Sequence, residues 1–262
     1  MLEVRDLHVK FHTRDREAVA GVSFSIADGQ ILGLVGESGS GKTVTALAAA
    51  GLMDRERATF TGQILLDGVD LLALTPGELR RIRGRDIGVV FQEPMACMDP
   101  LMKVGRQVEE SLRIHTDTSA PERHRQAIAA LTAVELRDPE GIYGKYPHEL
   151  SGGQLQRAMI AAAILTHPKL LLLDEPTTAL DVTVQAQILS LLKRLNAKYG
   201  MSMLFISHNL SVVRKLCRSV AVMQRGVLVE EGETETLFHQ PAHPYTQRLI
   251  AAIPTRNREV RP

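Results

Sequence analysis

Apolar and polar residues alternate along two parts of the first third of the chain. The runs "LEV", "LHVKF" and "VSFSI" within residues 1–26 place an apolar side chain at every second position, and "FTGQILLDGVD" (60–70) has a similar texture. Alternation with a period of two is typical of strands that bury only one face. These residues therefore predict an antiparallel β region.

The apolar runs elsewhere are continuous. "QILGLV" (30–35), "IGVVF" (87–91), "KLLLLD" (169–174) and "SMLFIS" (202–207) have no polar alternation, and a helical pattern over 181–199 stops at Gly200. Continuous apolar strands that alternate with helices indicate a parallel sheet covered on both faces. The fold class predicted is α/β with a mostly parallel sheet, and "VAVMQRGVLVEEG" (220–232) predicts a hairpin after it.

A helical segment interrupts this alternation at about residues 93–158. Ala127, Ile128, Leu131 and Val134 form one apolar stripe, and Ser119 and Glu122 have the spacing of a capping box. The segment is therefore predicted to be an inserted helical subdomain.

Charge and composition exclude several classes of protein. The 262 residues include 31 basic and 30 acidic ones, so the net charge is +1, and no long run of one sign indicates nucleic acid as a partner. The arginines at 80, 81, 83 and 85 are expected to form a solvated face. The apolar runs are shorter than the roughly 18 residues of a membrane span, and we expect neither a span nor a secretion signal. Cys97 and Cys217 lie far apart in the sequence and have no metal-ligand spacing, which fits a protein of a reducing compartment. We therefore expect both cysteines to be structural.

The sequence "GESGSGKT" (36–43) lies between a buried strand and a helix and has the P-loop form GxxxxGK[ST]. Its glycines let the backbone approach phosphates, Lys42 reaches the β and γ oxygens, and Thr43 holds Mg²⁺. The residues predicted to bind the nucleotide here are Gly36, Ser38, Gly39, Ser40, Gly41, Lys42 and Thr43.

A P-loop site also needs a carboxylate that binds the metal ion. The run of leucines before Asp174 and Glu175 buries a strand and delivers both acids at its carboxyl end. We predict that Asp174 holds Mg²⁺ through water and that Glu175 orients and polarises the attacking water.

The sequence "LSGGQLQR" (150–157) offers a second anion site. Ser151 and Gln154 have capping-box spacing, and the pair Gly152 and Gly153 adds bare amides at a helix start. Either the helical segment folds back so that both phosphate-binding segments, 36–43 and 150–157, serve one nucleotide, or segment 150–157 faces the P-loop of a partner.

These motifs resemble the ATP-binding subunits of ATP-binding-cassette (ABC) transporters over nearly the whole chain. Residues 36–43 match Walker A, 170–175 match Walker B, and "LSGGQ" matches the family signature. The resemblance implies a P-loop (RecA-like) ATPase core with an antiparallel β subdomain and a helical insertion, as one domain over 1–254 with a tail at 255–262. It also implies that two cassettes close head to tail, so that Ser151 and its neighbours complete the ATP site of the other cassette.

The resemblance assigns further roles. Gln92 in "VVFQEP" matches the Q-loop that touches Mg²⁺ or water, His208 in "FISHNL" matches the switch histidine at the γ-phosphate, and "ALD" (179–181) matches the D-loop, which makes Asp181 a nucleotide-site residue. Phe11 is the candidate for the adenine platform, and a core role for it is equally open. The cofactors implied are ATP and Mg²⁺.

Three stretches, among them "HPYTQRLIAAIP" (243–254), resemble the peptide and nickel importer branch. The partners implied are a second, different ATPase subunit, two membrane permease subunits and, indirectly, an extracytoplasmic solute-binding protein, with the chain peripheral on the cytoplasmic membrane face. Nickel or metal-chelate import is preferred to small-peptide import, because the chain's end resembles the metal importers more. An iron–sulfur cluster is not expected, since it needs about four thiolates and the sequence has two cysteines.

Two other classes remain as alternatives. Chromosome-maintenance ATPases and paired-cassette translation factors also carry "LSGGQ", but the former need long heptad arms and the latter two cassettes in one chain. A P-loop kinase acting on a small acceptor leaves "LSGGQ" and the helical segment unexplained.

Overall fold

Ten strands and twelve α-helices make up the part of the chain described in a computed structural model, residues 1–178 and 180–253. The strands are β1 Leu2–Phe11, β2 Val19–Ile26, β3 Ile31–Val35, β4 Ala58–Leu66, β5 Val69–Asp70, β6 Ile87–Val90, β7 Leu170–Asp174, β8 Ser202–Ser207, β9 Ser219–Gln224 and β10 Val227–Glu233. The helices are α1 Lys42–Ala49, α2 Pro76–Ile82, α3 Pro94–Cys97, α4 Val104–Val108, α5 Glu110–His115, α6 Ala120–Ala133, α7 Pro139–Gly144, α8 Gly152–Ile164, α9 Val182–Tyr199, α10 Leu210–Leu216, α11 Thr234–His239 and α12 Pro244–Ala251.

The antiparallel β region forms one four-stranded sheet in the order β2-β1-β4-β5, as predicted. The runs "LEV" and "LHVKF" belong to the single strand β1, whose register shifts between Val4 and Leu7. Asp6, at this irregularity, has a positive φ of 46°. The shift keeps Leu2, Val4, Leu7 and Val9 all buried, although strict alternation would turn the last two outward.

The second sheet has six strands in the order β10-β9-β3-β8-β7-β6, and only the β9–β10 hairpin is antiparallel. Its central strands are buried on both faces. Leu170 and Leu172 of β7 pack with the antiparallel sheet and α1, whereas Leu171 and Leu173 pack with the helices of the opposite face. The fold class and the mostly parallel sheet are therefore confirmed.

Helices α3 to α8 connect β6 to β7, which are neighbours in the sheet. The predicted stripe of α6 is present, because Ala127, Leu131 and Val134 are buried and Ile128 packs against the same core. The capping box predicted at Ser119 is wrong. Ser119 is the N-cap residue of α6 but forms no side-chain bond, and Glu122 instead accepts hydrogen bonds from Arg125 and Gln126.

The predicted solvated face of arginines is wrong at one position. Arg80, Arg81 and Arg85 are exposed, whereas Arg83 is half-buried and donates from Nη2 to the carbonyl of Gly51. The reason is that α2 ends at Ile82, and the extended backbone of Arg83 turns this side chain towards the end of α1.

Among the helices of residues 1–178 and 180–253, none combines the length and the apolar character that a bilayer span requires. The tail predicted at 255–262 lies outside the described residues, as does Ala179 of the "ALD" motif.

Candidate nucleotide site

The P-loop follows β3 and passes close to two other backbone segments. Gly36 and Gly41 have φ values of 153° and 103°, and a Cβ at these positions would lie 2.2 Å from the carbonyl oxygen of Met223 and 2.6 Å from that of Ala18. Only glycine fits such approaches. Gly36 and Gly41 are thus required by the packing of the loop as well as by any phosphate that it binds.

Lys42, the first residue of α1, points its ammonium group back into the loop. Its Nζ donates to the carbonyl oxygens of Gly36 and Glu37, both at 2.8 Å, and the residue is 5% exposed. Burial lowers the pKa of Lys42, an effect opposed by the charges of Glu175 and Asp174. A third, longer hydrogen bond runs from Nζ to Ser40 Oγ at 3.4 Å, so the ammonium group is held in place within the loop.

Thr43 and Asp174 bring two oxygen atoms together at the start of α1. Thr43 Oγ1 donates to Asp174 Oδ1 at 3.1 Å, and burial raises the pKa of Asp174 although this hydrogen bond opposes the rise. Hydroxyl and carboxylate oxygens are the ligands that Mg²⁺ prefers, with waters and phosphate oxygens completing the octahedron. The two residues therefore fit a Mg²⁺ ion between the P-loop and β7.

Three polar residues meet because three neighbouring parallel strands end at the same edge of the sheet. β6, β7 and β8 end at Val90, Asp174 and Ser207, and the chain continues from them to Gln92, Glu175 and His208. Ligand sites of parallel α/β sheets form at this edge. Gln92 and His208 lie 83 and 33 positions from Glu175 in the sequence, and the sheet brings all three together beside the P-loop.

Glu175 is at the centre of this group. Its carboxylate lies 3.0 Å from His208 Nδ1, accepts a hydrogen bond from Thr178 Oγ1 at 2.8 Å, and lies 3.5 Å from Gln92 Nε2. Burial raises the pKa of Glu175, but the hydrogen bonds from His208 and Thr178 outweigh burial and the pKa is lowered overall. The side chain of Glu175 is therefore an ionised carboxylate held in one orientation, as the activation of a water molecule requires.

The backbone of Glu175 is also unusual. Its φ of 46° is left-handed, a conformation that costs a non-glycine residue about 1–3 kcal/mol. This conformation turns the side chain out of β7 towards His208. Thr178, which holds the same carboxylate, was missed in the sequence, because a threonine in a turn after a strand carries no signal of such a contact.

The "LSGGQ" residues lie at the start of α8. Ser151 Oγ accepts the N–H of Gln154 at 3.3 Å, and Gln154 Oε1 accepts the N–H of Ser151 at 3.0 Å, so the predicted capping box is present. Ser151 and Gly152 are exposed, and a Cβ at Gly153 would lie 2.9 Å from Val184 of α9. No hydrogen bond among the described residues joins this segment to the P-loop.

Three further candidates stand apart from the carboxylate group. Ser38 is exposed in the P-loop, and Asp181 Oδ1 caps α9 by accepting the N–H groups of Thr183 and Val184, both at 2.9 Å. Phe11 is half-buried against the core of the antiparallel sheet, with the guanidinium of Arg14 5.7 Å from its ring centre. Nucleotide contacts of these residues stay predictions.

Two family models match the chain. The model described as "ABC transporter" matches residues 19–178, and the model described as "Oligopeptide/dipeptide transporter, C-terminal region" matches residues 229–261. The first covers more than half of the chain and includes the P-loop, the signature and Glu175. The second begins in β10 and includes α12.

Curated relatives agree with these models. The "Peptidoglycan transport ATP-binding protein YejF" of Agrobacterium fabrum is 49% identical over 97% of this chain, which spans 47% of that protein's length. The "Oligopeptide transport ATP-binding protein OppD" of Bacillus subtilis is 45% identical over 97% of this chain and 72% of its own. The "Probable peptide ABC transporter ATP-binding protein y4tR" of Sinorhizobium fredii is 44% identical over 98% of this chain and 78% of its own.

Solved structures show the same fold. The "Dimeric structure of a post-hydrolysis state of the ATP-binding cassette MJ0796 bound to ADP and Pi" has a TM-score of 0.80 at 28% identity, and covers 89% of this chain and 99% of its own. The resemblance drawn from the motifs is therefore confirmed. The chain belongs to the ABC transporter family, and its ATP-binding cassette carries the C-terminal region of the oligopeptide and dipeptide transporters.

Proposed function

We propose that this chain binds ATP with Mg²⁺ and hydrolyses it to power the import of short peptides through a membrane transporter. The observation that carries the proposal is the carboxylate of Glu175, held by His208 and Thr178 beside the Thr43–Asp174 oxygen pair. An adenine nucleotide in the P-loop would present its terminal phosphate to this edge of the sheet.

Each residue then has a defined task. Lys42 and the P-loop amides would bind the β and γ phosphates, and Thr43 and Asp174, with Gln92, would hold a Mg²⁺ ion whose charge would offset that of the phosphates. Glu175 orients a water molecule and accepts its proton, and His208 fixes the carboxylate while facing the γ-phosphate. Among these, the left-handed backbone and three side-chain contacts of Glu175 are the features that favour hydrolysis over mere binding.

We also propose that the site is completed by a second cassette. Ser151 and Gly152 are exposed at the start of α8, Gly153 is half-buried, and within residues 1–178 and 180–253 no hydrogen bond joins this helix start to the chain's own P-loop. In a head-to-tail pair, this start and Asp181 would face the P-loop of the other cassette. The partner is a different ATPase subunit, and residues 1–254 act as one cassette domain with 93–158 as its helical insertion.

The composite site predicts a concentration dependence. The purified chain at nanomolar concentration is expected to hydrolyse ATP slowly, because each P-loop lacks the serine of its partner, and the rate per chain should rise with concentration or on adding the companion subunit. Initial rates measured across a thousandfold dilution series test this. A rate per chain that stays constant, at the level of the full complex, would refute the composite site.

We propose that the transporter has two membrane subunits, that one of them docks on an apolar groove beside the site of this chain at the cytoplasmic membrane face, and that a solute-binding protein acts on the other side of the membrane. The groove, about 400 Å³, lies between the end of β6 and helices α3 and α5 and is lined by Phe91, Cys97, Met98 and Ile114. Ile114, on the wall of this groove, is 55% exposed, and an apolar surface that is open to solvent is a candidate site for a protein partner.

The two cysteines make this docking testable in the same rate measurements. Burial raises the pKa of both thiols, but Cys97 is exposed in the groove whereas Cys217 is buried, so a bulky maleimide should react at Cys97 alone. The adduct is expected to abolish stimulation by the membrane subunits and to leave the unstimulated rate unchanged, and a Cys97→Ser chain should be insensitive. Full stimulation of the labelled chain would remove the groove as the docking site.

Short peptides are the proposed cargo, in preference to the nickel or metal chelates favoured by the sequence. The support is that OppD and y4tR are named for oligopeptide and peptide transport, and that residues 229–261 match the oligopeptide/dipeptide C-terminal region.

Uptake in cells that lack this chain tests the cargo. Import of a labelled dipeptide or tripeptide is expected to fall to background and to return with the wild-type chain but not with Glu175→Gln. Nickel accumulation serves as the matched control and should not change. Normal peptide import together with lost nickel accumulation would overturn the proposed substrate.

A further inference from the structure

The C-terminal part of the chain packs against the outer side of the P-loop. The N–H of Gly226, in the β9–β10 turn, donates to the carbonyl of Ser40 at 2.9 Å, and the carbonyl of Met223 lies directly against Gly36. These contacts hold the loop from the hairpin side.

A second contact comes from α12, within the "HPYT" segment. The N–H of Glu37 donates to the hydroxyl of Tyr245 at 2.9 Å, across 208 positions of sequence. Tyr245 is 2% exposed, and its ring belongs to the main hydrophobic core. A buried tyrosine is a rigid group, so its hydroxyl is a fixed acceptor.

The start of α12 is itself anchored. The carboxylate of Glu230, in β10, accepts the N–H groups of Ala242 at 2.8 Å and of His243 at 3.0 Å. His243 Nδ1 then caps the helix by accepting the N–H of Tyr245 at 3.1 Å. The position of the tyrosine is thus tied to the sheet through β10.

The hydroxyl acts on one particular peptide group. The N–H of Glu37 and the carbonyl of Gly36 belong to the same planar trans peptide, so they point in opposite directions. Tyr245 binds the N–H, and Lys42 Nζ binds that carbonyl at 2.8 Å. Fixing the N–H therefore fixes the carbonyl that holds the lysine.

We propose that Tyr245 is a positioning residue for nucleotide binding, which acts on Lys42 through the Gly36–Glu37 peptide. The proposal rests on ATP binding at the P-loop. Gly36 has a φ of 153° and no side chain that could fix the peptide after it, so the orientation of this peptide depends on the groups that bind it. The C-terminal region thereby contributes to the ATP site without touching the nucleotide.

Tyr245→Phe tests the proposal because it removes only the hydroxyl and keeps the ring in the core. The dissociation constant of Mg-ATP, measured by titration calorimetry, is expected to rise about three- to tenfold, which corresponds to losing about the free energy of one hydrogen bond from the positioning of Lys42. KM for ATP should rise by a similar factor, with kcat within about twofold of wild type, because Glu175 and its contacts are unchanged.

Tyr143→Phe is the matched control. The hydroxyl of Tyr143 donates to Glu109 at 3.1 Å within the helical segment, so this variant also loses one half-buried hydroxyl contact. It is expected to lower the melting temperature at least as much as Tyr245→Phe, because its acceptor is a buried carboxylate, and to bind ATP as the wild type does. Unchanged ATP affinity in Tyr245→Phe, or an equal loss in both variants, would overturn the proposal.

Hydrogen exchange gives a readout that does not depend on ATP. The amide of Glu37 is expected to exchange faster in Tyr245→Phe than in wild type or Tyr143→Phe, and equal rates would also count against the proposal. A wild-type chain that binds no ATP would instead refute the proposed function, and the exchange result would still show whether Tyr245 holds the P-loop.

Discussion

Replacement of Glu175 by glutamine is expected to lower ATP turnover by about 10²- to 10⁴-fold while ATP remains bound. Glutamine has nearly the same shape, and its amide oxygen can still accept hydrogen bonds from Thr178 and His208. It cannot accept the proton of the attacking water. The residues that hold phosphate and metal, Lys42, Thr43 and Asp174, are left unchanged.

Single-turnover hydrolysis and equilibrium ATP binding should be measured on the same preparation. Glu56→Gln, at an exposed carboxylate remote from these contacts, is the control for the loss of one negative charge and should match wild type in both. Turnover of Glu175→Gln within a few-fold of wild type would remove Glu175 from the proposed chemistry. Loss of ATP binding in this variant would assign the residue to nucleotide binding instead.

Replacement of Lys42 by alanine is expected to weaken ATP binding itself, by about ten- to a hundredfold. The ammonium group is nearly buried and held by two carbonyl oxygens, so it offers a phosphate a charge whose position is already fixed. A hydrogen bond to a charged group contributes about 1.5–3 kcal/mol, which corresponds to this range of affinity.

The measurement is a nucleotide titration at constant ionic strength. Lys215→Ala removes an exposed positive charge at the surface and should leave the dissociation constant unchanged. The two site variants should differ in kind, because Lys42→Ala loses affinity whereas Glu175→Gln loses turnover. Wild-type affinity in Lys42→Ala would contradict phosphate binding by this loop.

Local patterns in the sequence were sufficient for most of the elements. Period-two alternation identified the antiparallel strands, because a strand buried on one face needs an apolar residue only at every second position. Continuous apolar runs identified β3, β6, β7 and β8, because a strand buried on both faces needs apolar residues throughout. The P-loop and the carboxylates after "LLLL" could also be predicted, because the residues that determine the local backbone conformation are consecutive in the sequence.

Contacts between distant segments left no such trace. Nothing near Tyr245 indicates that its hydroxyl reaches Glu37, and nothing near Thr178 indicates its bond to Glu175. Arg83 belongs to a run of arginines that is typical of a solvent-exposed surface. Its guanidinium nevertheless binds the carbonyl of Gly51, just after α1, so tertiary packing determines its burial. Ser119 has the spacing of a capping box, yet Glu122 bonds to Arg125 and Gln126 instead. In each case a competing partner, absent from the local pattern, decides the outcome.

The order of strands in the parallel sheet has a consequence for synthesis on the ribosome. β3, which carries the P-loop, lies between β8 and β9, and its first residue pairs with Met203. At roughly 5–20 residues per second, the strand waits on the order of ten to thirty seconds for that partner to be translated. Nascent chains that stop before β8 therefore contain the complete phosphate-binding motif without the strand that pairs with β3 on one side, and we expect them to bind nucleotide only after β8 has been translated.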